Sequence, residues 1–156
     1  MLNISTGRFI WTFLVGFVVT SQLNWAVAEF FLNDWAMPEF DGFMRSSESG
    51  GGDPANIARM ALGFMAPLFV VALLQAMLTK PEHWATRAIF LGGLVSLGAF
   101  YGTYTFISGW GNVNWWPLMV TATCDMVTLV AGALLIGYLQ TGLSNRSRAQ
   151  FLQRHR

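Results

Sequence analysis

Four long apolar runs separated by polar stretches set the pattern of this chain. The first covers residues 9–32, opening after Arg8 as FIWTFLVGFVV and becoming more polar as TSQLNWAVAEFF. The second covers 57–79, the third 87–108 and the fourth 116–140. Each matches the roughly 20 residues that an α-helix needs to cross a hydrocarbon core of about 30 Å. The expected fold is all-α, an integral membrane four-helix bundle forming a single domain over residues 1–156. Pro67 lies within the second run, where it removes a backbone donor and is expected to kink the helix.

The connections differ in character. Residues 33–56 form an acidic loop with Asp34, Glu39, Asp41, Glu48 and Asp53 against Arg45. Within it WAMPEFDGFM is expected to turn Phe40, Phe43 and Met44 towards the membrane surface, and SSESGGGD to stay mobile. Lys80-Pro81-Glu82-His83 joins the second and third runs, the uncharged GWGNVNWWP joins the third and fourth, and residues 141–156 form a basic tail. A signal peptide is the competing reading of the first run, since residues 9–19 suit its apolar region and Ala26-Val27-Ala28 its cleavage rule. The apolar character resumes beyond that point, which favours an uncut span.

Composition agrees with lipid as the main solvent. Hydrophobic residues make up 54% of the chain and charged residues 11%, against about a quarter charged in soluble domains. Mean hydropathy is +0.46. A net charge of +1 leaves no footprint for nucleic acid, and the single cysteine, Cys124, excludes an internal disulfide or a CxxC site. In a four-span arrangement Arg8, Lys80, Arg87, Arg146, Arg148, Arg154 and Arg156 fall on one side and Arg45 and Arg59 on the other. This bias predicts that both termini are cytoplasmic. Trp11 and Trp84 then mark the inner edge and Trp35, Trp110, Trp115 and Trp116 the outer one; only Trp25 falls inside a span.

An ionisable residue inside a span is a functional candidate by default, because lipid offers it no hydrogen bond. Asp125 is the clearest case. Thr121, Asp125, Thr128 and Gly132 give the fourth run a small, polar face. On the first run Gln22, Trp25 and Glu29 share a face with Asn24 adjacent, and antiparallel packing brings Gln22 and Asn24 near the depth of Asp125. Tyr101, Thr103, Tyr104 and Thr105 reach the same level from the third run, with Arg59 just above. Two uses compete for this layer: glue that fixes helix order, or a half-buried site that binds a polar head group or moves a proton. Asp125 facing a partner subunit is a third.

Other features read more plainly. Gly92, Ser96, Ala99 and Thr103 form a small-residue stripe suited to close helix approach. There is no phosphate-binding glycine motif and no metal-ligand pattern, and His83 and His155 lie at or beyond the inner boundary, away from any haem site in the bundle. Cys124 beside Asp125 has no histidine nearby in sequence to make a nucleophile of it. The basic tail suits anionic lipid head groups.

NWAVAEFF near the outer end of the first run, ARMALGFMAPLFVVALLQAML in the second, a glycine-rich third and CDMVTLVAGALLIGYLQ in the fourth together resemble small four-helix bacterial membrane proteins known as a domain of unknown function. The last helix carries the similarity at Asp125, Leu129, Val130, Gly132, Ala133, Leu134, Leu135 and Gly137. The first loop is longer and more acidic here, and Ala26 and Glu29 replace an aromatic and a small or proline-containing turn. That family has no assigned activity, so the resemblance implies a fold and a bacterial inner membrane, without a chemistry.

The expected function is that of a non-enzymatic accessory or structural subunit whose partners are membrane lipids, a larger membrane complex or further copies in a homo-oligomer. No cofactor follows from these residues. The 15% aromatic content suits contact with lipid, quinone-like rings or pigments, and equally a plain lipid-facing surface. The rival is a small transporter or channel with protonatable groups at Asp125 and Glu29. No internal repeat of the kind many transporters have is apparent in the sequence.

Overall fold

The computed structural model describes residues 4–34, 36–40, 54–78, 83–111 and 113–142. Trp35, most of the acidic loop with Phe43 and Met44, residues 79–82 and the tail beyond 142 lie outside the described residues. All regular structure among those described is helical. Helix α1 spans Thr6–Val27, α2 Pro54–Met77, α3 Trp84–Ser96, α4 Thr103–Trp110 and α5 Trp115–Gly137. Wider π-helical turns extend α1 over Ala28–Leu32, join α3 to α4 over Leu97–Gly102 and extend α5 over Tyr138–Gly142. Four continuous stretches are thereby long and apolar enough to span a membrane: Thr6–Leu32, Ile57–Met77, Trp84–Trp110 and Trp115–Thr141.

The helix starts follow local chemistry. The Ser5 side chain caps α1 by accepting from the Arg8 amide at 3.3 Å. Pro54 occupies the first position of α2, where its missing N–H is not needed. Further along, α2 continues through Pro67 to Met77.

The π turns decide which residues face inward. Along α3 and beyond, the buried positions are Ala88, Gly92, Ser96 and Phe100, with half-buried Tyr104 next. A straight helix of 3.6 residues per turn would rotate Tyr104 about 160° away from Ala88. The turn at Leu97–Gly102 winds more slowly, because its bonds run from i to i+5, and so returns Phe100 and Tyr104 to the interior. The expected stripe is corrected accordingly. Gly92 and Ser96 are buried, but Ala99 is only half-buried and Thr103 is exposed.

Helix α5 is the axis of the bundle and packs against α1, α2, α3 and α4. Of its most apolar 18-residue window 44% is buried, against 17–22% in the other three spans. The main core joins Phe9, Leu68, Val71, Ala72, Ala88, Phe100, Leu129, Ala133 and Ile136. Phe9 and Phe13 of α1 meet Phe69 of α2 edge to face, with ring centroids 5.8 and 5.4 Å apart. A second cluster at the other end packs Leu32, Ala36 and Phe40 against Val113, Leu118 and Met119. Phe40 therefore turns inward from the short 3-10 helix Met37–Phe40, only 4% exposed, and not towards the membrane surface as its pattern suggests. Contact with Leu118 and Met119 removes it from water without the help of lipid.

Close approach of α1 to α5 depends on two glycines that face each other's helix. A Cβ on Gly16 would strike the Ile136 side chain, and one on Gly132 would strike Thr20 and approach Leu68 Cδ1 at 3.0 Å. Thr20 is buried and held by its bond to the Gly16 carbonyl at 2.6 Å, so it cannot swing aside freely. Gly132→Ala is therefore expected to lower stability in detergent by about 1–3 kcal/mol, the usual cost of overpacking. Gly93→Ala, with nothing within 4 Å of the added carbon, is the control and should leave the thermal transition unchanged or slightly raised.

Candidate functional site

Asp125 lies on the inward face of α5 and is 9% exposed. Asn24 Nδ2 of α1 donates to its Oδ1 at 2.7 Å, and the Tyr104 hydroxyl of α4 donates to its Oδ2 at 2.7 Å. The same Asn24 amide donates to Thr128 Oγ1 at 3.2 Å, while the Thr128 hydroxyl donates to the Asp125 carbonyl at 2.9 Å. Both carboxylate oxygens are thus engaged by donors from two other helices. Thr128 is the midpoint of the span Trp115–Thr141, and Asn24 and Tyr104 lie five and seven residues beyond the midpoints of Thr6–Leu32 and Trp84–Trp110, so the clasp sits between half-depth and the end at which α5 begins.

The polar cluster expected from the sequence is divided in the structure. Asn24 and Tyr104 meet Asp125. Tyr101 lies beside the clasp and pairs its hydroxyl with Thr123 Oγ1 at 2.6 Å. Gln22, Glu29 and Arg59 are exposed, and the side chains bonded to the carboxylate are those of Asn24 and Tyr104. Gln22 has the expected depth but the wrong direction: two residues along a helix turn about 200°, so it and Asn24 cannot face the same neighbour. Glu29 lies in the terminal π turn of α1. Cys124 is a free, half-buried thiol. Among the described residues no group of three His, Cys, Asp or Glu side chains is placed to hold a metal ion.

A second polar layer, towards the other end of the bundle, escaped the sequence reading. Gln75 of α2 donates to the Ala133 carbonyl at 2.8 Å, and Gln140 lies 3.4 Å from both Thr12 Oγ1 and the Ala72 carbonyl. Both side chains are at most 2% exposed, and neither amide oxygen has a donor among the described residues. Arg8 reaches from α1 to the Leu139 carbonyl at 2.8 Å, satisfying a group in the closing π turn. The available signal was compositional: Gln75 is the lone amide between Arg59 and Thr79.

One open groove of about 480 Å³ lies where α5 begins, lined by Glu39, Asn114, Trp115, Trp116 and Pro117. Within it Asn114 Nδ2 donates to Glu39 Oε2 at 2.7 Å and ties the short 3-10 helix to that end of the bundle. No family model, curated protein or solved structure matches this chain.

The clasp makes a quantitative prediction. Tyr104→Phe removes one donor and should cost about 0.6–2 kcal/mol, the range for interhelical hydrogen bonds in membrane bundles. In a double-mutant cycle with Asp125→Leu, thermal unfolding in detergent should show the second substitution costing less in the presence of the first. Strict additivity would mean that the two side chains do not share an interaction.

Proposed function

We propose that this is a small multi-pass protein of the bacterial cytoplasmic membrane, with both termini inside, acting as a non-enzymatic accessory or structural subunit. Its helices pack against partner proteins or lipids. The observation that carries the reading is that Asp125 gives both carboxylate oxygens to neighbouring helices, as expected of a group that fixes helix order. Glu29, the other acid required by a proton-moving reading, is exposed away from the clasp. The positive-charge bias supports the orientation, and the resemblance to small four-helix bacterial proteins supports the location.

Two measurements test this proposal. In a Cys124→Ser background, Ser49→Cys should react with an impermeant thiol reagent in intact spheroplasts and Ser147→Cys should not; the reverse result would invert the topology. Purified protein in vesicles should show no proton-coupled flux. A flux that Asp125→Asn abolishes while the thermal transition is retained would replace the subunit reading with a transporter.

A further inference from the structure

We propose that the outward face of α1 binds a second copy of this chain, with Gln22 of each copy hydrogen-bonded to Gln22 of the other near the membrane midplane. This deepens the subunit reading and rests on it, because it names one partner for a bundle held together internally by its own clasp.

Gln22 lies three residues from Val19, the midpoint of the first span Thr6–Leu32, about 4.5 Å in depth. Its side chain is exposed, and it has no hydrogen-bond partner among the described residues. A hydrocarbon half-thickness of about 15 Å puts the head groups beyond the reach of a glutamine side chain. Left against lipid, the amide would have neither water nor protein to bond, a cost of several kcal/mol.

The face around Gln22 is suited to helix packing. Trp11, Val15, Val18, Gln22 and Trp25 follow one another at spacings of four, three, four and three residues. That is a 3.5-residue repeat, which keeps one seam turned towards a neighbouring helix. Trp11, Val18 and Trp25 are exposed along it. A single polar residue in an otherwise apolar seam fixes register and oligomeric state.

Geometry then selects the occupant. Two copies inserted in the same direction are related by a two-fold axis along the membrane normal, which leaves the depth of every residue unchanged. Gln22 therefore meets Gln22 at equal depth, and a carboxamide carries both a donor and an acceptor, so the pair satisfies itself reciprocally. Glu29 lies about 10 Å further along α1, nearer the interface, where water can hydrate the two like charges.

Disulfide cross-linking in native membranes tests this directly. In a Cys124→Ser background, Val18→Cys should give an oxidised species of twice the 17.3 kDa chain mass, whereas Phe106→Cys, exposed on α4, should not. Adding Gln22→Leu to Val18→Cys should lower the dimer fraction about fivefold to thirtyfold at a fixed protein-to-lipid ratio, and Gln22→Asn should retain much of it. Gln22 has no hydrogen-bond partner among the described residues, so the thermal transition of the Gln22→Leu monomer should match that of the parent and separate lost association from lost folding. Absence of self-cross-linking at Val18→Cys, or a dimer indifferent to Gln22→Leu, overturns the proposal. Cross-linking of Val18→Cys to a different protein overturns the second copy and leaves the subunit reading standing. Proton-coupled flux from an intact, Gln22-dependent dimer would overturn the subunit reading alone.

Discussion

Four spans long and apolar enough to cross a membrane have little hydrogen-bonding solvent along their length, and that constraint governs this bundle. Helices settle the backbone internally, and side chains must then find partners on one another. Asp125 is where this constraint is tightest. Placing an aspartate near the centre of a span costs about 2.5–3.5 kcal/mol on insertion scales. Two interhelical bonds of about 0.6–2 kcal/mol each offset that cost with little to spare. The clasp is therefore close to neutral in stability. Its value lies in specificity: only an arrangement that brings α1 and α4 together against α5 supplies both Asn24 and Tyr104, so alternative helix orders bear the insertion cost without the offset.

The π turns make that arrangement reachable. Along α1 and its π turn the inward positions run Gly16, Thr20, then half-buried Asn24 and Ala28 and finally buried Leu32, a spacing of four that a regular helix would carry off the face. The turn at Ala28–Leu32 brings Leu32 back to the second core, as Leu97–Gly102 returns Phe100 and Tyr104. Gly16 and Gly132 let α1 lie close enough for the short Asn24 side chain to bridge to α5. Backbone winding, small residues and the polar clasp are thus one device. Wider spacing would leave the amide short of the carboxylate, and uninterrupted α-helix would turn Tyr104 away from it.

What could be read from the sequence divides along physical lines. Span positions were legible because hydropathy and length are direct consequences of bilayer thickness. The three residues of the clasp were legible because each is a polar group at matching depth. Direction around a helix was not: Gln22 and Asn24 share a depth and point to opposite sides, and only packing determines which one faces inward. The stripe through Ala99 and Thr103 failed for a different reason, since a π turn changes the period on which such a stripe is drawn and no residue type announces it. Gln75 and Gln140 went unread because an isolated amide at the C-terminal end of a span has no periodic companion to mark the helix it meets.

Depth and direction together also sort the polar residues by role. A polar side chain that faces inward at mid-span can be satisfied by the chain itself, and its demand is met on folding; Asp125, Asn24 and Thr128 are of this kind. One that faces outward, as Gln22 does, finds no hydrogen-bond partner among the described residues. Substituting it with an apolar residue would be neutral or favourable to the isolated protomer, so its presence is unexplained by folding alone. The inward set specifies how four spans become one bundle, and in the proposed dimer the outward amide specifies what that bundle stands beside. On that proposal fold and association can vary separately, because the residues assigned to each lie on opposite sides of the same helix.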